Sequence, residues 1–394
     1  MTARCSLKSV RIAGYRAFRD FQATLGPLEI LVGANGSGKS SLFEFLKFLR
    51  DSLHQEIPPE IIAGSIGQRV FRDPELPSFS WDLEIDIGRT VPIRYEGELV
   101  GVLGETGVTL ERVESPEPLE PDEAPFVMME IKNGRGYVYN PILKEQEPTK
   151  QEVALIRRNQ LALGTITNPL LAVLCELREF MRSWRFYSSS KISNAKIRRP
   201  VLIEQNPVLH EDAGNLSSVL HYLMTECRTS FDELENQLRS AIPGFKGLTV
   251  KALGGPGEVM AFWQERGVDQ QLTLADVSDG ILRFLCWACL CVQPNPPSLI
   301  CIDEPDGGVH PRTLPILAAL FEKALERTQI LLATHGSYFL TQFDISRIAV
   351  MRKEDGEAQF IKPTDSAVLM ANLEDFGAEE IEAMHRSDEL ERLA

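Results

Sequence analysis

The feature that most constrains this chain is a glycine-rich run placed between an apolar stretch and a helical pattern. Residues Gly33–Ser40, GANGSGKS, fit the pattern G-x-x-x-x-G-K-[ST]. Leu28–Val32 before them predicts a buried strand, and apolar side chains recur at helical spacing over Lys39–Leu53. Glycines let the backbone turn tightly, so that amide N–H groups face a phosphate chain at a helix N-terminus. The run therefore predicts a phosphate-binding loop at the end of a strand.

Two side chains of the loop have the chemistry that a bound nucleotide needs. The Lys39 ammonium is expected to reach the β- and γ-phosphates, and the Ser40 hydroxyl is expected to bind Mg²⁺. ATP and Mg²⁺ are therefore the predicted ligands. The alternative is a glycine turn that arose by chance. Such a turn would not be expected to have a strand before it, a helix after it and carboxylates farther along the chain.

The composition is that of a globular protein. At about 150 residues per domain, the 394 residues suggest roughly two to three domains or one large one. Hydrophobic residues make up 43% of the chain and charged residues 25%, which argues against a disordered chain. Lys and Arg number 41 against 56 Asp and Glu, a net charge of −15 at pH 7. This acidic balance disfavours nonspecific coating of nucleic acid or of an anionic membrane.

No segment of the sequence predicts a membrane span or secretion. The longest apolar run, Phe284–Val292, has nine residues, well short of the ~20 that cross a bilayer, and the N-terminus has no apolar signal core. Among the seven cysteines, Cys286, Cys289 and Cys291 form a CxxCxC cluster. With no second Cys or His pair nearby, they predict core packing rather than a zinc or redox site. We expect a cytoplasmic protein with reduced thiols.

Carboxylates and a histidine follow two later strands. Leu299–Ile302 predicts an apolar strand that ends in Asp303 and Glu304. Asp303 can hold the Mg²⁺ shell through water, and Glu304 can polarise the attacking water. Ile330–Thr334 predicts a second buried strand, which delivers His335 to the same sheet edge, where we expect a γ-phosphate contact.

A third polar group opens a helix between these two halves. Ser278-Asp279-Gly280 precedes an apolar helical stretch, and small residues at a helix N-terminus form an anion site. Taken alone, the triplet would be an ordinary Ser N-cap. Its place between the phosphate-binding loop and the carboxylate strand favours a nucleotide contact.

The remaining patterns alternate between strand and helix. Short β-like runs extend from Phe79 to Tyr139, interrupted by Glu114–Pro125, an acidic, Pro-rich insert predicted to be an exposed or disordered loop. Gln151–Phe186 is predicted to be mainly helical, and Asn215–Leu238 is predicted to be a further helical stretch. In the last third, buried five-residue strands alternate with helices, which indicates a parallel α/β sheet. The tail Glu374–Ala394 predicts an amphipathic helix.

The motifs of the chain, in their order, resemble those of a known ATPase group. GANGSGKSS, VSDGILRF, LICIDEP with GVHP, and LLATHG look like the ABC-type head of the RecF/SMC-like group of AAA-family ATPases. The opening KSVRIAGYRAFR is similar to that group's first strand and turn. The resemblance is closest to the compact bacterial predicted ATPases without coiled-coil arms or a C-terminal Toprim domain.

The resemblance implies roles for individual residues. It implies catalysis by Lys39, Glu304 and His335, and metal binding by Ser40 and Asp303. It also implies nucleotide binding by the Walker A loop and the signature, which are Gly33, Ala34, Asn35, Gly36, Ser37, Gly38, Lys39, Ser40, Ser41, Ser278, Asp279 and Gly280.

The implied fold is α/β: an ABC-type P-loop ATPase head with a mixed or parallel core sheet, an antiparallel β-lobe and an inserted helical segment. Residues 1–60 and 246–365 are expected to form the two parts of the ATPase core. The β-rich lobe is expected at 61–150, a mainly helical segment at 151–245, and an acidic C-terminal helix or tail at 366–394.

The sequence departs from the group's pattern in two motifs. Asp279 stands in the signature where transporters carry Gly, and Gly336 follows the switch histidine where Ser is usual. The Q-loop glutamine is open among Gln146, Gln151 and Gln160, since none of them has a motif around it.

Three functions compete for a chain with these motifs. The first is an ATP-driven homodimeric switch, the regulatory or sensor subunit of a DNA-repair or anti-phage defence complex, whose separate effector would be a nuclease or a toxin. The second is the ATPase subunit of a transporter, in which the signature would follow Lys39 much sooner than Ser278 does. The third is a self-contained ATPase–nuclease, which would need a nuclease domain after His335. The first is expected.

Contact with nucleic acid has one candidate segment. Lys191–Arg199 is the densest basic patch of the sequence, and such a patch can bind phosphates of a nucleic acid. As a solvated loop it would need no function. The pattern alone leaves both interpretations open.

Overall fold

The computed structural model describes residues 5–57, 70–73, 77–89, 91–102, 105–116, 126–140, 149–155, 157–192, 194–253 and 257–365. The predicted tail helix and most of the acidic insert lie outside the described residues. The described residues form two compact units. The first unit draws on 5–26, 33–184 and 350–361, and the second on 27–32, 185–349 and 362–365.

The described residues form mainly strands in the first part of the chain and strands interspersed with helices after Leu161. The strands are β1 (Ser6–Tyr15), β2 (Phe18–Thr24), β3 (Leu28–Val32), β4 (Ser78–Asp86), β5 (Ile93–Val102), β6 (Glu105–Glu114), β7 (Val127–Lys132), β8 (Arg135–Asn140), β9 (Thr149–Ala154), β10 (Arg185–Ser188), β11 (Val201–Leu202), β12 (Phe245–Ala252), β13 (Glu258–Glu265), β14 (Leu272–Thr273), β15 (Leu299–Asp303), β16 (Gln329–Ala333), β17 (Ile348–Glu354) and β18 (Glu357–Ile361). The α-helices are α1 (Lys39–Ser52), α2 (Ala162–Thr165), α3 (Ala172–Arg182), α4 (Asn194–Ile197), α5 (Leu216–Glu226), α6 (Arg228–Ala241), α7 (Asp279–Val292), α8 (Leu314–Ala324) and α9 (Ser337–Leu340).

The first unit is built on an antiparallel sheet with the strand order β2-β1-β4-β5-β6-β7-β8-β9. Burial alternates strictly along β4, where Phe79, Trp81, Leu83 and Ile85 are buried and the residues between them are partly exposed. This alternation is typical of a sheet with one face on the core. The predicted antiparallel β-lobe is therefore confirmed.

The second unit contains four adjacent parallel strands in the order β10-β15-β16-β3. All five residues of β3 and of β16 are buried, as expected for parallel strands with both faces covered. The charged residue of β3, Glu29, is fully buried and lies 3.0 Å from the Lys362 ammonium. The predicted α/β fold class with a parallel core is confirmed.

Two stretches that were predicted to be helical are interrupted in the structure. The stretch that begins at Gln151 opens inside a strand, because β9 pairs in antiparallel register with β8 and its Lys150 ammonium lies 4.5 Å from the centre of the Tyr137 ring. The helical stretch predicted over Asn215–Leu238 is helical, but Cys227 (φ −128°, ψ 56°) divides it into α5 and α6. Residues 224–230 bury none of their side chains and include weak helix formers, so packing does not hold one continuous helix there.

The CxxCxC cluster is part of the core, as predicted. Cys286, Cys289 and Cys291 are buried in α7. Burial raises the pKa of the Cys286 thiol to about 12, so the thiol stays protonated at neutral pH. A protonated thiol is a poor metal ligand and a poor nucleophile. In the part of the chain that the structure describes, no helix is long and apolar enough to cross a bilayer.

One carboxylate is buried in the core of the first unit. Glu111, on β6, is fully buried and accepts hydrogen bonds from the Tyr95 hydroxyl at 3.0 Å and from the N–H groups of Ala162 and Leu163 at 2.5 and 2.9 Å. Burial raises its pKa to about 7, against the opposing effect of these donors. The carboxylate thus joins the β-lobe to the start of α2.

We expect the Glu111 carboxyl to make stability depend on pH. Its folded pKa of about 7 exceeds the ordinary value of 4.5, so its contribution is present below pH 4.5 and is lost as pH rises through 7. The loss amounts to at most about 3 kcal/mol. Urea unfolding at pH 5 and pH 8 should show a smaller pH difference for Glu111→Gln than for the wild type. Glu98→Gln, on the neighbouring strand, should keep the wild-type difference; equal differences in all three proteins would contradict the assignment.

Candidate functional site

The structure places the predicted phosphate-binding loop directly after β3 in the chain and before α1. Gly33, Gly36 and Gly38 have φ of 142°, 82° and 114°, which L side chains rarely adopt. A Cβ on Gly33 would lie 1.9 Å from the carbonyl oxygen of Met351, whereas one on Gly36 would meet nothing within 4 Å. The backbone therefore needs glycine at Gly33 for space as well as for conformation.

The Lys39 ammonium lies inside the loop. It donates to the carbonyl oxygen of Gly33 at 2.6 Å and to that of Ala34 at 3.2 Å, and the residue is only 6% exposed. Ser40, at the next position, is exposed. Gly38 at the N-cap has no side chain that could cap the first N–H groups of α1. These groups and the fixed ammonium suit a phosphate chain, and the exposed hydroxyl suits Mg²⁺.

In the second unit, the parallel register brings polar residues level at one edge of the sheet. Asp303 lies opposite Ser188 of β10 on one side and Ala333 of β16 on the other. Glu304 follows Asp303, and His335 follows two residues after Ala333. The Glu304 Oε1 and His335 Nε2 atoms are 3.7 Å apart, with about two fifths of each side chain exposed. The structure thus brings Asp303, Glu304 and His335 together, as predicted.

Glu304 has a strained backbone that its neighbours hold in place. Its φ of 55° lies in the left-handed region, which costs a residue other than glycine about 1–3 kcal/mol. Its N–H donates to the carbonyl of Ala333 at 2.8 Å, and its own carbonyl accepts from the Gly307 N–H at 2.9 Å and from the Ser189 hydroxyl. These bonds offset the strain and turn the carboxylate out of the strand direction.

The loop after His335 is shaped by Asp306. The Thr334 hydroxyl donates to Asp306 Oδ1 at 2.6 Å, and the Gly336 N–H donates to the Thr334 hydroxyl at 2.9 Å. A Cβ on Gly336 would lie 2.0 Å from Asp306 Oδ2. The departure from Ser at this position therefore has a steric reason: the Asp306 carboxylate occupies the space of a side chain.

The signature begins α7 and packs on the loop that follows Glu304. A Cβ on Gly280 would lie 2.4 Å from the carbonyl oxygen of Gly308, so this close approach excludes any larger residue. Arg283 donates to the carbonyl of Gly307 at 2.9 Å, and the Trp287 indole N–H donates to that of Pro305 at 2.9 Å. The start of α7 and the carboxylate loop thus form one packed element.

A cavity of about 630 Å³ opens at the start of α7. Its lining includes Ser278, Gly280, Phe284, His310 and Arg312. The walls are mostly apolar, and the polar groups converge where the helix begins. A phosphate group at this point would meet the positive end of the helix.

Three residues of the site have little or no signal in the sequence. Asp306 had a signal, since it is the third carboxylate of the run DEPD. Ser189 had a weaker one, as part of a serine run after a short aromatic strand. Arg198 lies in the basic patch predicted as a candidate nucleic acid contact, but it donates to Asp279 at 2.9 Å. Lys196 of the same patch donates to Asp212 at 2.6 Å, so two of its cations form internal ion pairs.

Two family models match the sequence. One, described as "AAA domain, putative AbiEii toxin, Type IV TA system", matches residues 145–341, half of the chain. The other, described as "AAA ATPase domain", matches residues 6–87. No curated protein matches the sequence.

Solved structures of Smc heads share the fold of this chain. The SmcHead bound to the C-winged helix domain of ScpA superposes with a TM-score of 0.50 at 12% identity, over 90% of this chain and 97% of that one. The Smc head domain with an extended coiled coil, bound to the C-terminal domain of ScpA derived from Pyrococcus furiosus, gives 0.50 at 11% identity, over 94% and 100%. The expected ABC-type head fold is confirmed by this similarity.

Proposed function

We propose that this chain is an ATP-driven switch. The premise is that the chain belongs to the family described as "AAA domain, putative AbiEii toxin, Type IV TA system" and has the SMC-like ATPase head fold. Membership in this family supports an ATPase. The proposal goes further: the chain binds and hydrolyses ATP, closes as a homodimer, and regulates a separate effector. The carboxylate–imidazole pair of Glu304 and His335 at the edge of the parallel sheet carries the proposal.

The chemistry assigned to the chain is hydrolysis of the γ-phosphate. Lys39 holds the β- and γ-phosphates on the loop Gly33–Ser40. Glu304 accepts a proton from water as the water oxygen bonds to the γ-phosphorus and the bond to the bridging oxygen breaks. His335, 3.7 Å from Glu304, donates a hydrogen bond to a γ-phosphate oxygen. Mg²⁺ held by Ser40 and, through water, by Asp303 would neutralise charge on the phosphates.

The signature suggests that two copies act together. Ser278, Asp279 and Gly280 are too small a feature to bind a nucleotide alone, but they begin α7 beside an open cavity. In an isologous dimer, each signature would cap the γ-phosphate held by the loop of the other copy, so one two-fold axis makes two sites. This arrangement is the proposed closed state.

The output of closure is proposed to lie on another chain. The two similar Smc heads are each bound to a domain of ScpA, which supports a separate protein partner for this head. The family description names a toxin–antitoxin system, which supports a defence role with a toxin or nuclease effector. The alternatives are the self-contained ATPase–nuclease and the transporter subunit. DNA repair remains the second proposed setting.

We expect Lys39→Ala to abolish Mg²⁺-dependent ATP hydrolysis, because it removes the cation that holds the phosphates. Glu304→Gln should bind ATP but hydrolyse it at least ~100-fold more slowly, because the amide cannot accept the proton. Phosphate release measures both effects. Glu326→Gln, an exposed exchange of the same kind, should behave as the wild type. Wild-type turnover by Glu304→Gln would rule out this role for Glu304.

We expect ATP to double the mass of Glu304→Gln in solution, because slow hydrolysis keeps the closed dimer populated. Light scattering with and without ATP measures the mass. Ser278→Arg should associate far more weakly, because its side chain hinders the approach of the second copy at both sites of its homodimer. Mixed dimers of Lys39→Ala and Ser278→Arg subunits can hold at most one intact site. An unchanged, monomeric mass of Glu304→Gln at high protein and ATP concentrations would contradict the proposed homodimer.

We expect the purified chain to leave nucleic acids intact. Incubation with ATP, Mg²⁺ or Mn²⁺, and single- and double-stranded DNA and RNA should give no cleavage on gels, because the proposed chemistry is confined to the nucleotide. Robust cleavage that disappears in Lys39→Ala or Glu304→Gln, in preparations free of other chains, would restore the ATPase–nuclease.

A further inference from the structure

The signature of this chain carries a negative charge where the proposed function needs a positive one. Asp279 is the first residue of α7, and a carboxylate there stabilises a helix through its dipole. The same end of the helix is proposed to meet the γ-phosphate of a second copy. An uncompensated carboxylate within a few ångströms of a phosphate repels it. The charge of Asp279 therefore needs a counter-charge.

Arg198 supplies that charge. Its Nη2 donates to Asp279 Oδ1 at 2.9 Å and to the carbonyl oxygen of Val277 at 3.1 Å. Its Nε points to the carbonyl oxygen of Leu274 at a longer 3.4 Å. One guanidinium thus contacts the carboxylate of the signature and the backbone that leads into it. Arg198 comes directly after α4, about 80 residues earlier in the chain, and no motif marks it.

The other charged groups near the signature have partners of their own or line the cavity. Asp276 accepts from the N–H and the hydroxyl of Thr273 at 2.9 and 2.8 Å. Arg283 donates to the carbonyl of Gly307, and Arg312 lines the cavity beside Ser278 and Gly280. Among the described residues, Arg198 is the cation in ion-pair contact with Asp279. Removing it leaves one negative charge at the start of α7.

We propose that Arg198 is a positioning residue of the signature, which neutralises Asp279 and holds the loop before Ser278 so that the helix N-terminus can receive the second copy's ATP. This inference rests on the proposed dimer. The pair is partly exposed, with 29% of the Arg198 and 55% of the Asp279 side chain accessible. Pairs of this kind add little to folding stability, so the effect of Arg198 should appear in ATP-driven closure rather than in unfolding.

The chain offers a matched control in the same segment. Lys196 lies two residues before Arg198 and pairs with Asp212 at 2.6 Å, away from the signature. Lys196→Ala and Arg198→Ala therefore remove one positive charge each from the same stretch. They differ in whether Asp279 keeps its partner.

The test measures ATP-driven association of full-length chain in the Glu304→Gln background, by light scattering over a range of protein concentrations. Arg198→Ala should weaken association on the order of tenfold or more, because each of the two sites of the dimer then holds one uncompensated charge near a phosphate at an intermediate dielectric. Lys196→Ala should leave association unchanged. Binding of a fluorescent ATP analogue to single subunits should be the same in all variants, because the Gly33–Ser40 loop is intact.

Two further measurements separate charge from simple support of the loop. Adding Asp279→Asn to Arg198→Ala removes the uncompensated charge and should restore most of the association. Raising the ionic strength should reduce the difference in ATP-driven association between Arg198→Ala and its parent, because salt screens the repulsion. A purely structural role would give neither result.

Each outcome decides a different point. Equal association of Arg198→Ala and Lys196→Ala, or failure of Asp279→Asn to restore it, overturns the role of Arg198 and leaves the dimer standing. If two copies of the Glu304→Gln parent fail to associate in the presence of ATP, both the proposed homodimer and this inference are wrong. Tenfold weakening with rescue and salt dependence supports the inference.

Discussion

The parallel hydrogen-bonded register of β3, β16 and β15 is the constraint on which the proposed catalytic edge of this protein depends. Leu31 lies opposite Ala333, and Ala333 opposite Asp303. Adjacent parallel strands in this register end level with one another, so the residues that follow them leave the sheet at one edge. Glu304 and His335 come within 3.7 Å of each other because of this register. A slip of one residue would turn every buried side chain of a strand to the opposite face.

The loops at this edge are held by hydrogen bonds of both backbone and side-chain groups. Glu304 takes a left-handed conformation, and its amide and carbonyl are both bonded to neighbouring segments. Asp306 occupies the space where a side chain on Gly336 would lie. Such a network has little freedom to adjust, so a change at Asp306 or Ser189 would be felt at the Glu304 carboxylate.

The start of α7 joins this network from the other side. Gly280 approaches Gly308, Arg283 bonds to Gly307, and Arg198 holds Asp279. Glu304 and the signature are therefore parts of one packed element in each copy. In the proposed dimer they would serve two different nucleotides. A shift of this loop on hydrolysis would then act on the signature through these contacts.

Local patterns in the sequence were enough to predict the phosphate-binding loop, the apolar strands that precede Asp303 and His335, and the antiparallel lobe. Each of these depends on a short-range rule: glycine where φ is positive, continuous apolar residues in a strand covered on both faces, or alternation in a strand with one face buried.

Tertiary structure decided the contacts between residues that are distant in the sequence. The Ser189 and Arg198 contacts join segments about 80 to 115 residues apart, and polar side chains of this kind carry no periodicity that marks a partner. Cys227 breaks a helix because residues 224–230 bury none of their side chains, and Gln151 lies in a strand because β8 offers it a pairing edge. The sequence thus determined most of the elements and the motifs at their ends. The three-dimensional packing alone determined which distant polar groups hold those motifs in place. The reason is that the energy of a hydrogen bond or an ion pair depends on distances that only the folded chain defines.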